Sequence, residues 1–304
     1  MSAPLSAAVG KFIGHLAHER RLSVHTAAAY TRDLDSFRRY CEQQQVNDWG
    51  AVDIHHVRAF VSARHRQGLS PRSLQRQLAA IRSFYNYLLR ERAVRNNPAN
   101  GVPAPKAQKR LPATLDADQM AQLLTIQGDD AQAVRDRAIM ELLYSSGLRL
   151  AELLSLERHA IDPGAAEVRV TGKGAKTRVV PVGRKALGAL QDWLKVRSQL
   201  AKPEDQALFV GPRGGPLSPR TLQARLRRWG RAQGVAQGIH PHLFRHSFAS
   251  HLLESSGDLR AVQELLGHAN VSTTQVYTHL DFQHLARTYD KAHPRARTKV
   301  RGKE

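Results

Sequence analysis

Cysteine is almost missing from this chain: there is one, Cys41, among 304 residues. An internal disulfide is excluded, and the usage fits a reducing compartment. Nor does any run approach the roughly 18 apolar residues needed to span a membrane. The early stretch VGKFIGHLAHERR is broken by Lys11, His15 and His18, which predicts an amphipathic helix rather than a secretion signal. The expected location is the cytoplasm. Clustered carboxylates of the kind that hold catalytic magnesium are also missing. A GKG occurs at 172–174, but the G-x-x-x-x-G-K-[ST] spacing of a phosphate loop does not. His242 and His246 are four apart on a predicted helix. The segment HLFRH nevertheless lacks the glutamate of H-E-x-x-H and sets an arginine beside the would-be zinc. No metal and no cofactor are expected.

Acidic residues are outnumbered. Lys and Arg total 46 against 26 Asp and Glu, a formal charge of +20. Such an excess points to a polyanionic partner, nucleic acid before an anionic membrane. The excess is shared along the chain: residues 1–107 hold 16 basic against 7 acidic residues (+9), and the remainder 30 against 19 (+11). A basic tail on a neutral enzyme would not divide in this way. Both parts are expected to meet the same polyanion.

Proline marks one boundary. The stretch NNPANGVPAPKAQKRLP, residues 96–112, carries Pro98, Pro103, Pro105 and Pro112 with little apolar content and reads as a semi-rigid linker. Residues 1–99 are expected to form a helical domain, 100–112 the linker and 113–304 a second domain. In the first, helical periodicity runs over 5–18, from Ser23 through Tyr30, Leu34 and Phe37, and over 53–67. Ser70-Pro71 supplies an N-cap and a first-turn proline for RSLQRQLAAIRSFYNYLLRER. Arg72 and Arg76 lie one turn apart on that helix and are candidates for phosphate contact. In the second domain, DADQMAQLLTIQ, AVRDRAIMELLYSSG, 184–199, 218–233 and 242–254 predict helices. Residues 167–182, EVRVTGKGAKTRVVPV, change period and predict a β-hairpin with Lys173 and Lys176 at its tip. The fold class is mostly α with a small α+β component.

Several residues after position 140 could do chemistry. Arg149 follows a glycine at a helix junction in YSSGLRLAELLSL. Lys173 sits in TGKGAKTR. His242 and Arg245 are three apart in HPHLFRHSFASHLL, hence on one helix face. His268 and Tyr277 stand in LLGHANVSTTQVYTH. Taken singly, each has an ordinary reading as a helix-end charge, a turn lysine or core packing. Together they form a cationic, donor-rich set suited to attack on a phosphodiester by tyrosine. Arginine forks bind non-bridging oxygens bidentately, and such donors count most as charge builds in the transition state. A tyrosine with an ordinary pKa near ~10 must lose its proton. A leaving 5′-oxygen must gain one, which a lysine could supply.

In that order Arg149, Lys173, His242-x-x-Arg245, His268 and Tyr277 resemble the six-residue signature of the tyrosine recombinases, the phage integrase family. The surrounding segments SSGLRLAELLSL, HLFRHSFASHLL and LLGHANVSTTQVYTHL agree. LSVHTAAAYTRDLDSF and SPRSLQRQLAAIRSFYNYLLRERAVRNNPA are similar to that family's core-binding domain. Residues 254–296 resemble the bacterial Xer branch, nearer XerC than XerD. The resemblance implies a SAM-like helical domain and a mixed α/β catalytic domain forming a C-shaped clamp on double-stranded DNA. It further implies Tyr277 as nucleophile, Arg149 and Arg245 on the phosphate, Lys173 as acid for the leaving oxygen, His242 as acid/base and His268 as a phosphate donor. Implied partners are a dif-like site, a XerD-type recombinase in a heterotetramer and an FtsK-type DNA translocase. The role implied is resolution of chromosome dimers for partition at cell division. The segment from Phe282 to Tyr289 would dock in a neighbouring subunit. The alternatives are a type IB topoisomerase or a mobile-element or plasmid integrase/resolvase of the same chemistry, a non-catalytic DNA-architectural protein and, third, a metal-dependent nuclease.

Overall fold

The computed structural model describes residues 5–18, 24–105, 114–172, 177–235, 238–267, 288–289 and 292–296. The chain separates into two compact units, Met1–Lys109 and Arg110–Glu304. Among the described residues no helix is long and apolar enough to cross a membrane.

The first unit is built from four helices: α1 (Leu5–His18), α2 (Val24–Gln43), α3 (Ile54–Arg66) and α4 (Pro71–Arg90). Local chemistry sets their starts. Asp53 caps α3, its side chain accepting from the His56 amide, and Ser70 caps α4 ahead of Pro71. Such a cap contributes about 1 kcal/mol. Half of the chain's 18 aromatics lie in this smaller unit. Phe12, Phe37, Phe60 and Phe84 are all buried. Phe37 meets Phe60 edge-on at 5.0 Å between centroids, and Trp49 meets Phe84 at 5.0 Å. These edge-to-face contacts suit the ring quadrupoles. Two buried polar tips are satisfied as well: Trp49 Nε1 donates to the Leu5 carbonyl and the Tyr85 hydroxyl to that of Trp49.

The second unit holds α5 (Ala117–Leu124), α6 (Ala131–Ser146), α7 (Leu150–Leu154), α8 (Arg184–Val196), α9 (Pro219–Ala232), α10 (Pro241–Ser256) and α11 (Leu259–Leu266). Its sheet runs β1 (Ile161–Asp162), β2 (Glu167–Thr171), β3 (Thr177–Pro181), all antiparallel. The expected hairpin pairs Thr171 with Thr177 and Val168 with Val180. The two-residue β1 adds an edge that the sequence did not announce. α6 is buried on every side, the pattern of a central helix rather than an amphipathic one. Buried polar groups in such a helix are usually partnered, and here Glu141 Oε2 is an exception. Ser146 Oγ donates to the Pro181 carbonyl, and Ser145 Oγ accepts from the Gly183 amide. Ser145 Oγ also lies 2.8 Å from the Tyr289 hydroxyl. Tyr289 is buried in its own chain, whereas the expectation placed its segment in a neighbouring subunit. Residues 282–287 of that segment lie outside the described residues.

Candidate active site

Three chain segments of the second unit converge through Gly147, the C-cap of α6. It adopts φ +57, a left-handed conformation that glycine takes without a Cβ penalty. There is no room for a side chain either, since a Cβ would come within 2.5 Å of the Phe248 ring. The close approach of α10 that this permits puts the Gly147 carbonyl 2.8 Å from Arg245 Nη1. Arg245 Nη2 donates to the Leu266 carbonyl at 2.6 Å. The guanidinium is almost wholly buried and both of these contacts are to backbone.

Two residues beyond Gly147, Arg149 begins α7 as its N-cap rather than closing a helix. Its amide donates to Glu152 Oε2 at 2.8 Å, its Nη1 to Glu152 Oε1 at 2.8 Å, and its Nη2 to the Gly267 carbonyl at 3.0 Å. Glu152 is buried and also takes a two-pronged contact from Arg178 of β3, at 2.7 and 3.0 Å. Burial alone would raise this carboxyl. Hydrogen bonds from Arg178 and from the Arg149 amide, with the positive charge of Arg178, outweigh that and hold it at about 2. Two guanidiniums thus share one carboxylate, with that of Arg245 close by on backbone carbonyls.

The excess positive charge has consequences. Burial, then the charge of Arg149, pulls Arg245 down to about 10, which still leaves it cationic at neutral pH. His242 is exposed on α10, one turn before Arg245. Partial desolvation lowers its pKa, as do His240, His246 and the two arginines. A neutral imidazole at pH 7 can accept a proton. His240, the N-cap of α10, is lowered by desolvation and by His246, and its Nδ1 accepts from the Leu243 amide at 3.2 Å. The arrangement can grip a single oxyanion from two sides, with an imidazole beside it.

Of the residues singled out in the sequence, Arg149, His242 and Arg245 lie in the described part. Lys173, Lys176, His268 and Tyr277 lie outside the described residues. α11 ends at Leu266 with Gly267 as its left-handed cap, one residue before His268. Sequence reasoning passed over Glu152 and Arg178. Glu152 stands three after Arg149, the capping spacing, which was the available signal. In the first unit, Arg72 is exposed on α4. Arg76 makes a bidentate pair with the buried Asp33 of α2 at 2.7 and 3.0 Å, leaving about half its side chain open.

Residues 113–284 match the Phage integrase family, and residues 9–92 match the Phage integrase N-terminal SAM-like domain. The chain is 55% identical over 287 residues to "Tyrosine recombinase XerC" of Pseudomonas syringae pv. syringae (strain B728a), covering 94% of this chain and 95% of that protein. It is 54% identical over 289 residues to the XerC of Pseudomonas aeruginosa PAO1, covering 95% of each. Among solved structures, the XerH site-specific recombinase bound to palindromic difH, a post-cleavage complex, superposes with a TM-score of 0.70. That likeness, at 24% identity over 89% of this chain and 81% of the other, concerns the fold.

Proposed function

The chain belongs to the phage integrase family and is a tyrosine recombinase that cleaves and rejoins DNA. From that premise we propose that it acts as the XerC-type member of a pair, at a dif-type site with a XerD-type partner. In this reading it converts chromosome dimers to monomers under an FtsK-type translocase. The observation that carries the reading is the convergence of Arg149 and Arg245 on the end of α11, the segment whose next residues lead to His268 and Tyr277.

The proposed chemistry balances without a cofactor. Tyr277 Oη attacks the scissile phosphorus, His242 takes the phenolic proton, and the P–O5′ bond breaks. Lys173 gives a proton to the departing 5′-oxygen. Arg149 and Arg245, with His268, hold the non-bridging oxygens as charge builds on them. A 3′-phosphotyrosyl bond remains, which the 5′-hydroxyl of a partner strand reverses. Arg72 and Arg76 on α4 and Lys176 contact the backbone of the same duplex, adding to the salt dependence.

The test is a nicked dif-type duplex in excess EDTA, with and without a XerD-type partner. Wild-type protein is expected to trap as a covalent adduct, and Tyr277→Phe is not. Adduct formation by Tyr277→Phe overturns the nucleophile. Failure of strand exchange with the XerD-type partner present removes the pairing.

A further inference from the structure

Helix α11 ends with three successive carbonyls, those of Leu265, Leu266 and Gly267, beyond the reach of intrahelical donors. Each accepts from a different arginine: Arg178 Nε at 3.3 Å, Arg245 Nη2 at 2.6 Å and Arg149 Nη2 at 3.0 Å. Cations at a helix C-terminus are favoured by the macrodipole, but three on consecutive residues is a built arrangement. Two of these arginines belong to the proposed chemistry. The third, Arg178, does not.

Arg178 differs from the other two in what it leaves open. Its side chain is 10% exposed against 39% for Arg149. Nη1 and Nη2 form a fork on the two Glu152 oxygens, and Nε holds Leu265. Its guanidinium also lies against Gly267, where an added Cβ would stand 3.2–3.3 Å from Nε, Cδ and Cζ. With three donors committed, it has little left for a phosphate. The Glu152 carboxylate, in turn, reaches Arg149 through both oxygens. A fork on both oxygens fixes the plane of the carboxylate, and that plane dictates where the Arg149 guanidinium points.

We propose that Arg178 is a positioning residue for DNA cleavage, acting through Glu152 to set the Arg149 guanidinium. This rests on the proposed function above. Arg178 does not touch the reacting phosphate; it determines whether Arg149 meets it. Lysine cannot replace it, because a point charge cannot hold both oxygens in a fixed plane.

A double-mutant cycle on the full-length protein separates this from general support of the fold. The readout is the single-turnover rate of adduct formation on the nicked duplex, with DNA affinity and circular dichroism measured alongside. Arg178→Lys is expected to slow adduct formation by about 100-fold, the scale of an ångström-sized misplacement, with affinity unchanged. Arg149→Ala alone loses about 10²–10³-fold. The double variant is expected to match Arg149→Ala, since Arg178 acts through that residue. Multiplication of the two losses, or a wild-type rate for Arg178→Lys, overturns the inference. Should Arg178→Lys fail to fold, Glu152→Gln takes its place in the same cycle and is judged by the same criteria. No adduct with the wild-type protein overturns the proposed function, and this inference with it.

Discussion

Two arginine clusters in the second unit are assembled from the same parts and behave differently. At one, Asp136 Oδ1 accepts from Arg135 Nε and Nη2, while Oδ2 accepts from Arg225 Nε and Trp229 Nε1. The remaining reach of Arg135 goes to the Val210 carbonyl. Arg135 is fully buried, and the cluster is closed. At the other, Glu152 serves Arg149 and Arg178, but Arg149 keeps more than a third of its side chain in solvent. A closed cluster can only tie α6 to α9. An open one holds its arginines at fixed positions while leaving N–H groups for a guest. Residue type does not separate structure from function here; the unspent donors do.

Breaking each cluster should therefore fail in a different currency. Asp136→Ala leaves the buried Arg135 without its counter-ion and should cost about 3–5 kcal/mol of stability, read by denaturant unfolding. A loss well under 1 kcal/mol would show that the closed cluster is not a tie. Arg149→Ala should cost about 10²–10³-fold in adduct formation and little stability, because Glu152 retains Arg178. If the melting temperature drops and the rate per folded molecule holds, the contrast between clusters collapses. The smallest effect is on pH dependence. Glu152 is held at about 2 in the folded chain, below the ~4.3 of an unfolded glutamate. Its contribution is present in full above ~4.3 and is lost as pH falls toward 2. The stability gap between wild type and Glu152→Gln should shrink across that window. A gap that stays constant there would mean the carboxylate is not held by its partners.

Where a feature is local, the sequence shows it. Ser70-Pro71 announces α4, and Gly147 announces the end of α6, because caps and left-handed turns depend on one or two residues. The β2–β3 hairpin was legible from its change of period. β1 was not, since two residues carry no periodicity. His242 and Arg245 are legible as chemistry-bearing types at helical spacing, and Arg149 as one following a glycine at a helix junction. Their environments are not. That Arg245 is buried while His242, three residues earlier, is exposed depends on how α10 meets Gly147. Arg178 reads as an ordinary strand residue, and its partner Glu152 is 26 positions away. Arg76 is a phosphate candidate by its spacing, and its fork on Asp33, 43 residues earlier, which leaves about half the side chain open, has no local signal. Such pairings are made by tertiary packing and leave no local trace.

The oxygens that receive Arg245, and one of those that receives each of Arg149 and Arg178, belong to the main chain at Gly147, Leu265, Leu266 and Gly267. Exchanging Leu265 or Leu266 for another side chain leaves those acceptors in place. The aim of the arginines is thereby insulated from ordinary sequence drift in α11. At these main-chain acceptors it takes a change that bends the backbone, such as a bulkier residue at Gly147 or Gly267, to turn them away.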